Sequence, residues 1–166
     1  VWILETRIAE NEAGGHGGGA WIETDLLRAV DVEFDQNLVN QNQSGGGLYL
    51  VGYDPGPNPA PILERVAFIA NTASAGGGAY ISGMHGVSAN PLQLHNVTFS
   101  GNQLDIAGHA AGLHLGAPSS TLEVELRHVT FFGNVDPVSV LKPAFNDDHQ
   151  ATVWNTAFDE DCVDPM

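Results

Sequence analysis

Residues 76–102 read GGGAYISGMHGVSANPLQLHNVTFSGN, and this stretch decides the fold because the rest of the chain repeats it. Its first motif, a glycine pair followed by three strand-like residues, recurs as GGGAWI at 17–22, GGGLYL at 45–50 and, more weakly, AGLHL at 111–115. Its second motif places asparagine three residues after an aromatic, as in Phe34…Asn37, Phe68…Asn71, Phe99…Asn102 and Phe131…Asn134. Degenerate copies stand at Ile8…Asn11 and Phe158…Asp161, so successive copies are 26, 34, 31, 32 and 27 residues apart. Recurrence at this period predicts one solenoid domain of about five coils over residues 1–166.

The residues between the motifs predict β-coils. After each glycine pair an aromatic or histidine is flanked by two aliphatic residues, and each phenylalanine ends a similar apolar–variable–apolar triplet such as Val97-Thr98-Phe99. A third apolar pair of the same spacing lies upstream, for example Leu92 and Leu94. This period of two is typical of short strands with one buried face. Three such strands per coil and no helical period predict an all-β parallel β-helix.

The two motifs have mechanical explanations. Glycine fits a corner where the backbone turns tightly or takes a positive φ. Asparagine tolerates the left-handed conformation, and equivalent asparagines stacked in register can form hydrogen bonds along the stack. The phenylalanines are predicted to form one buried column, each ring covering the ring beneath it.

The alternation of GG[AL]x[IL] with FxxN resembles the repeats of chlamydial polymorphic outer-membrane proteins and related bacterial surface β-helices. The resemblance extends over about residues 8–161. It implies a right-handed parallel β-helix in a secreted or surface-displayed protein, many of whose relatives are adhesins. The chain departs from the pattern at Ala111-Gly112, where one glycine is lost, and at Asp161, which replaces asparagine.

Composition narrows the choice of partners and compartment. The chain has 20 acidic and 5 basic residues and a net charge of −15, which disfavours nucleic acids and anionic membranes as partners. Lys142 is the only lysine, which favours an exported protein, placed outside the cell, in the periplasm or on the outer surface of a bacterium. Cys162 is single, so no internal disulfide is expected; it is either a half-buried residue or paired outside the chain. No apolar run is long enough to span a bilayer.

The start of the chain, Val1-Trp2-Ile3-Leu4, resembles part of a coil without a polar cap. Ends of solenoids are normally capped because an open coil exposes strand edges and apolar core. Processing from a longer precursor, another subunit covering this coil, and a loosely ordered end all remain open.

Two outer surfaces are candidate binding regions. The longest inserts, 51–60, 82–91 and 116–121, leave their coils at the same corner and are expected to lie side by side as a loop flank. The middle residues of the glycine strands are predicted to form an outward aromatic ladder about 4.8 Å apart per step, a candidate ligand-binding strip for a glycan or protein. Its members are Trp21, Tyr49, Tyr80 and His114. Alternatively, these rings only stabilise the strands by packing on each other.

A further outward stripe consists of the residue three before each phenylalanine: Asp31, Arg65, Asn96, His128 and Asn155. Asp31 and Arg65 are close enough in this alignment to pair, and the stripe is otherwise interpreted as a solvated face.

Acidic residues are concentrated near the end of the chain. Clustered carboxylates with a backbone turn can bind Ca²⁺, so a calcium site is one hypothesis and a solvated cap is the other. The candidate ligands are Asp147, Asp148, Asp159 and Asp161. Neither an EF-hand loop nor a glycine-aspartate nonapeptide occurs in the sequence.

The sequence does not favour an enzyme. The basic residues are scattered, no aspartate pair repeats on consecutive coils as a glycosidase requires, and the seven histidines lack HExxH spacing. The prediction is a structural or adhesive module that binds a protein or glycan and has no cofactor apart from a possible Ca²⁺. The alternatives are a subunit of a larger extracellular or membrane-associated assembly and a fragment of a polysaccharide lyase or hydrolase.

Overall fold

The structure, a computed structural model, describes residues 1–24, 26–40, 42–52, 60–82, 91–106, 109–116, 123–135 and 150–158. These residues form strands, turns and bends without any helix. In chain order the strands are β1 (Trp2–Ala9), β2 (Glu12–Ala13), β3 (Ala20–Glu23), β4 (Arg28–Asp35), β5 (Leu38–Val39), β6 (Leu48–Val51), β7 (Ile62–Ile69), β8 (Thr72–Ala73), β9 (Ala79–Ser82), β10 (Leu92–His95), β11 (Thr98–Ser100), β12 (Gln103–Leu104), β13 (Leu113–Gly116), β14 (Glu123–Arg127), β15 (Thr130–Phe132), β16 (Gln150–Trp154) and β17 (Ala157–Phe158).

The strands form three parallel sheets that run along the stack. Sheet A has nine strands, β1, β4, β7, β10, β11, β14, β15, β16 and β17, whereas sheet B (β2, β5, β8, β12) and sheet C (β3, β6, β9, β13) have four each. Every strand pairs in parallel with its equivalent in the next coil, which confirms the predicted all-β parallel solenoid. The coil count differs slightly from the prediction. About three turns connect the four levels present in all three sheets, although sheet A continues over six levels.

The phenylalanine column is the centre of the core. Strand pairing aligns Phe34 with Phe68, Phe68 with Phe99 and Phe99 with Phe131. Their ring centroids are 5.0, 4.9 and 4.9 Å apart and neighbouring rings are within 5° of parallel. All four side chains are at most 1% exposed. The predicted column is therefore confirmed.

The division of each coil into strands differs from the prediction. The phenylalanine strand and the apolar pair upstream of it belong to one sheet, as a continuous bent strand in β1, β4 and β7. The bend lies at the polar stripe, since Asp31, Arg65, Asn96, His128 and Asn155 all have φ between 46° and 56°. A left-handed residue rotates the strand direction, so apolar residues on both sides of it face the same core.

The sequence pattern does not predict sheet B. Sheet B consists of two-residue strands, such as Leu38–Val39, directly after Asn11, Asn37, Asn71 and Asn102. A strand of two residues is too short to show an alternating pattern, which is why periodicity did not reveal it.

The asparagines form the predicted ladder along the stack. Nδ2 of Asn11, Asn37, Asn71 and Asn102 donates to Oδ1 of the next asparagine, the last being Asn134, over 2.8–3.1 Å. From the second asparagine onward, Nδ2 also donates to the carbonyl oxygen of the aromatic position one coil earlier, in every case over 2.9 Å. Oδ1 of each asparagine from Asn37 to Asn134 also accepts a hydrogen bond from the backbone N–H of the asparagine one coil earlier. The ladder therefore satisfies buried polar groups that no water reaches.

The glycine corner is tighter than the sequence alone showed. Gly45 has a φ of 75°, as expected for such a turn. The glycine after it, Gly46, is required for a different reason, because a Cβ there would lie 2.3 Å from the carbonyl oxygen of Gly77 in the next coil. Close stacking of successive corners thus excludes every side chain at this position.

Candidate functional site

The outer face of sheet C carries the predicted aromatic ladder. Pairing of β3 with β6, β6 with β9 and β9 with β13 places Trp21 beside Tyr49, Tyr49 beside Tyr80 and Tyr80 beside His114. Four side chains about 30 residues apart in sequence therefore form one column, here called the aromatic column. A second column on the same face, two residues further along each strand, consists of Glu23, Val51, Ser82 and Gly116.

The middle of the aromatic column is stacked face to face. The centroids of Tyr49 and Tyr80 are 5.1 Å apart with planes 9° from parallel, and those of Tyr80 and His114 are 4.8 Å apart and 7° from parallel. Because their planes are parallel at this distance, neighbouring rings cover each other's faces. The tyrosines therefore present ring edges to a ligand, and not the free faces on which a sugar ring would stack.

Trp21 does not continue this stack. Its plane is 87° from that of Tyr49, at a centroid distance of 6.1 Å. The outer face of Tyr49 is covered instead by His16, whose ring lies 4.4 Å away and 21° from parallel. His16 is held there by the backbone N–H of Ser44, which donates to its Nδ1 over 3.0 Å.

His16 was not predicted as part of the site. It precedes the glycine triplet, and the equivalent positions carry Ser44 and Ala75, which pair as a bridge one coil apart. No aromatic residue recurs at this position, so alignment of the repeats does not reveal it. The only signal in the sequence is that a histidine directly precedes the Gly17 corner, in the coil where the aromatic column begins.

His114 differs from the prediction of an exposed ring. It is in the predicted column, but only 7% exposed. Burial, together with the nearby His109, lowers the pKa of His114 to about 4. Because desolvation disfavours the charged imidazolium, His114 is neutral at physiological pH and acts as a packing group at this end of the column.

The exposed end of the column forms a shallow cleft. Trp21 is 56% exposed, and its indole lines a cleft of about 420 Å³ together with Glu23. The two residues are two positions apart on β3, so both side chains project from the same face of the strand. Among the described residues, the lining of this cleft is thus an exposed indole beside a carboxylate.

The charged groups of sheet A are largely paired with each other. Arg65 Nε and Nη2 donate to the two carboxylate oxygens of Asp31 over 2.6 and 2.9 Å, which confirms the predicted pair. These hydrogen bonds lower the pKa of Asp31 and raise that of Arg65. Arg7 Nε donates to Glu33 over 2.8 Å and its Nη2 contacts Asp35. A shallow groove of about 400 Å³ is lined by the paired Arg7, Asp31, Glu33 and Arg65 together with Glu5.

Some predictions fall on parts of the chain that the structure does not describe. Asp147, Asp148, Asp159 and Asp161, the candidate calcium ligands, lie outside the described residues, as do Cys162 and most of the loop flank. Within the described ranges, no three His, Cys, Asp or Glu side chains are grouped closely enough to hold a metal ion. The same ranges contain no helix that could cross a membrane.

Comparison with protein families, with curated proteins and with solved structures finds no match to this chain. The resemblance to polymorphic outer-membrane protein repeats therefore stays a prediction from the two motifs.

Proposed function

We propose that this chain is a non-catalytic, structural or adhesive β-solenoid module that binds a protein or glycan. Its compartment would be the exterior, periplasm or outer surface of a bacterium. The observation that carries the proposal is the exposed Trp21 with Glu23 at the end of a stacked aromatic column. A large exposed aromatic side chain is a common anchor of binding surfaces.

The scaffold supports this role by keeping the site rigid. The neighbouring rings of the column are ordered by stacking, and the strand that carries Trp21 is paired along its length with β6. Because a rigid site loses little conformational entropy when a ligand binds, a single exposed ring can contribute useful affinity. The low content of basic side chains is consistent with a ligand that is not a polyanion.

The proposal is tested by binding of the purified chain to a glycan array and to immobilised extracellular matrix proteins. Binding should be lost in Trp21→Ala and reduced in Tyr49→Ala, because the second variant leaves the indole without its neighbour. Trp2→Ala is the matched control, since Trp2 is 66% exposed but lies on sheet A. Equal loss in Trp2→Ala and Trp21→Ala would contradict a site on sheet C.

A second candidate, a subunit of a larger assembly, is favoured by the surface of the first coil. Val1, Trp2 and Leu4 are 53, 66 and 49% exposed. Ile3 and Ile8 in this coil are only partly buried, although both are packed against the core. A partner subunit, or further residues of the same protein, would cover them at this edge. The test is sedimentation of the purified chain and of its Leu4→Glu variant, each mixed with an extract of the natural source. A faster-sedimenting complex that forms with the unchanged chain and not with the variant would show that the complex depends on this edge.

A further inference from the structure

Two of the three tryptophans hold an arginine of the same chain over their rings. The guanidinium carbon of Arg28 is 5.6 Å from the ring centroid of Trp2, and that of Arg127 is 4.6 Å from the centroid of Trp154. Both distances are within the range at which a cation is attracted to the negative face of an indole.

Each of these arginines also contacts a carboxylate. Arg28 Nη2 lies 3.4 Å from Oε2 of Glu64, and Arg127 Nε contacts Oε1 of Glu125. The same arrangement therefore occurs at two places on sheet A, with a guanidinium placed against both an indole and an acidic side chain. A planar guanidinium suits both partners, because its face stacks on the ring and its N–H groups point to carboxylate oxygens.

Trp21 has two of the three components. Glu23 supplies the carboxylate on the same face of β3, and both side chains line one cleft. The third component does not come from the arginines of this chain, since Arg7, Arg28, Arg65 and Arg127 all belong to strands of sheet A. The described strands of sheet C contain no basic residue apart from a histidine.

We propose that the Trp21–Glu23 cleft binds the guanidinium of an arginine side chain from a protein partner. This inference rests on the proposed function and specifies its ligand. The net charge of −15 favours approach of a basic segment, and the cleft then fixes one arginine of that segment between ring and carboxylate. We favour an arginine over an amino sugar as the ligand, because this chain itself places a guanidinium against an indole and a carboxylate at two positions.

The test is an NMR titration that follows the indole N–H signals of the three tryptophans. The probe is an acetylated, amidated tri-arginine peptide, and its control is the same peptide with citrulline, which has nearly the same shape without the charge. The tri-arginine peptide should shift the Trp21 signal saturably and leave the signals of Trp2 and Trp154 almost unchanged. The citrulline peptide should produce no saturable shift.

Variants separate the site from general charge attraction. Glu23→Gln should weaken binding about five-fold, whereas Glu12→Gln, an equal change of charge at an exposed residue of sheet B, should have little effect. Equal binding of the citrulline peptide, or equal effects of the two glutamate variants, would overturn the inference. If glucosamine oligomers shift the Trp21 signal and the arginine peptide does not, the inference fails but the proposed function stands. If neither probe nor any array ligand depends on Trp21, both fail.

Discussion

Replacement of Asn71 by alanine is expected to remove one step of the asparagine ladder. Four hydrogen bonds are lost. Asn71 Nδ2 donates to the carbonyl oxygen of Phe34 over 2.9 Å and to Asn102 Oδ1 over 3.1 Å. Asn71 Oδ1 accepts from the backbone N–H and from Nδ2 of Asn37 over 3.0 and 2.9 Å. Asn71 is fully buried, so water does not replace these partners without a rearrangement of the corner.

The magnitude follows from the groups left without partners. Asn102 Oδ1 keeps the backbone N–H of Asn71, but the Phe34 carbonyl oxygen and the two Asn37 donors lose a buried partner. A net contribution of about 1 kcal/mol per bond gives a loss of about 4 kcal/mol in the free energy of unfolding. This is a large part of the total stability expected for a domain of this size.

The measurement is urea unfolding followed by circular dichroism, with the free energy extrapolated to water. Asn40→Ala is the matched control, because Asn40 is an exposed asparagine in the segment that follows the same corner one coil earlier. The control should change stability by less than about 0.5 kcal/mol. A loss below about 1 kcal/mol for Asn71→Ala, or equal losses in both variants, would refute the assigned role of the ladder.

Asn71→Asp tests the donors alone, because it replaces the side-chain NH2 group by an oxygen of similar size and keeps Oδ1. The carboxylate would face the oxygens of Phe34 and Asn102, which raises its pKa in the folded state. Stability of this variant is therefore greatest below the pKa of an unfolded aspartate, and is lost as the pH rises through the folded pKa. A variant as stable at pH 7 as at pH 3, relative to the unchanged protein, would contradict the donor geometry.

Three further changes test the corner, the buried histidine and the left-handed positions. Gly46→Ala should lower the free energy of unfolding by about 3 kcal/mol or more, because its Cβ would meet a carbonyl oxygen of the next coil at 2.3 Å. Gly14→Ala has no atom within 4 Å of its Cβ and should be nearly neutral in the same urea assay. The pKa of about 4 for His114 lies below its usual 6.5, so the unfolded chain binds more protons between these values. The contribution of neutral His114 to the free energy of unfolding is therefore fully present above pH 6.5 and falls by up to about 3 kcal/mol towards pH 4. Thermal unfolding at several pH values should show this loss in the unchanged protein and not in His114→Phe. Ala70 has a φ of 52°, so Ala70→Gly should raise the melting temperature by an amount equivalent to about 0.5–1 kcal/mol, whereas Ala13→Gly in β2 should lower it.

The sequence predicted the features that repeat once per coil. Phe68 and Asn71 occupy the same coil position as their equivalents in neighbouring coils, and parallel stacking in register brings such residues together whatever the length of the loops between them. The phenylalanine column, the asparagine ladder and the membership of the aromatic column were therefore predictable. The two-residue strands of sheet B were not, because a pattern with a period of two needs more residues to appear.

Only the tertiary structure decided which parts of the aromatic column a ligand can reach. His16 occupies a coil position that carries no other ring, and it covers the face of Tyr49 because a backbone N–H one coil away fixes its orientation. Burial of His114 and exposure of Trp21 likewise depend on what packs above and below each ring, and not on the residue itself. Repetition along the chain determines which side chains become neighbours, whereas the accessible surface of each is set by contacts between coils that no local pattern contains.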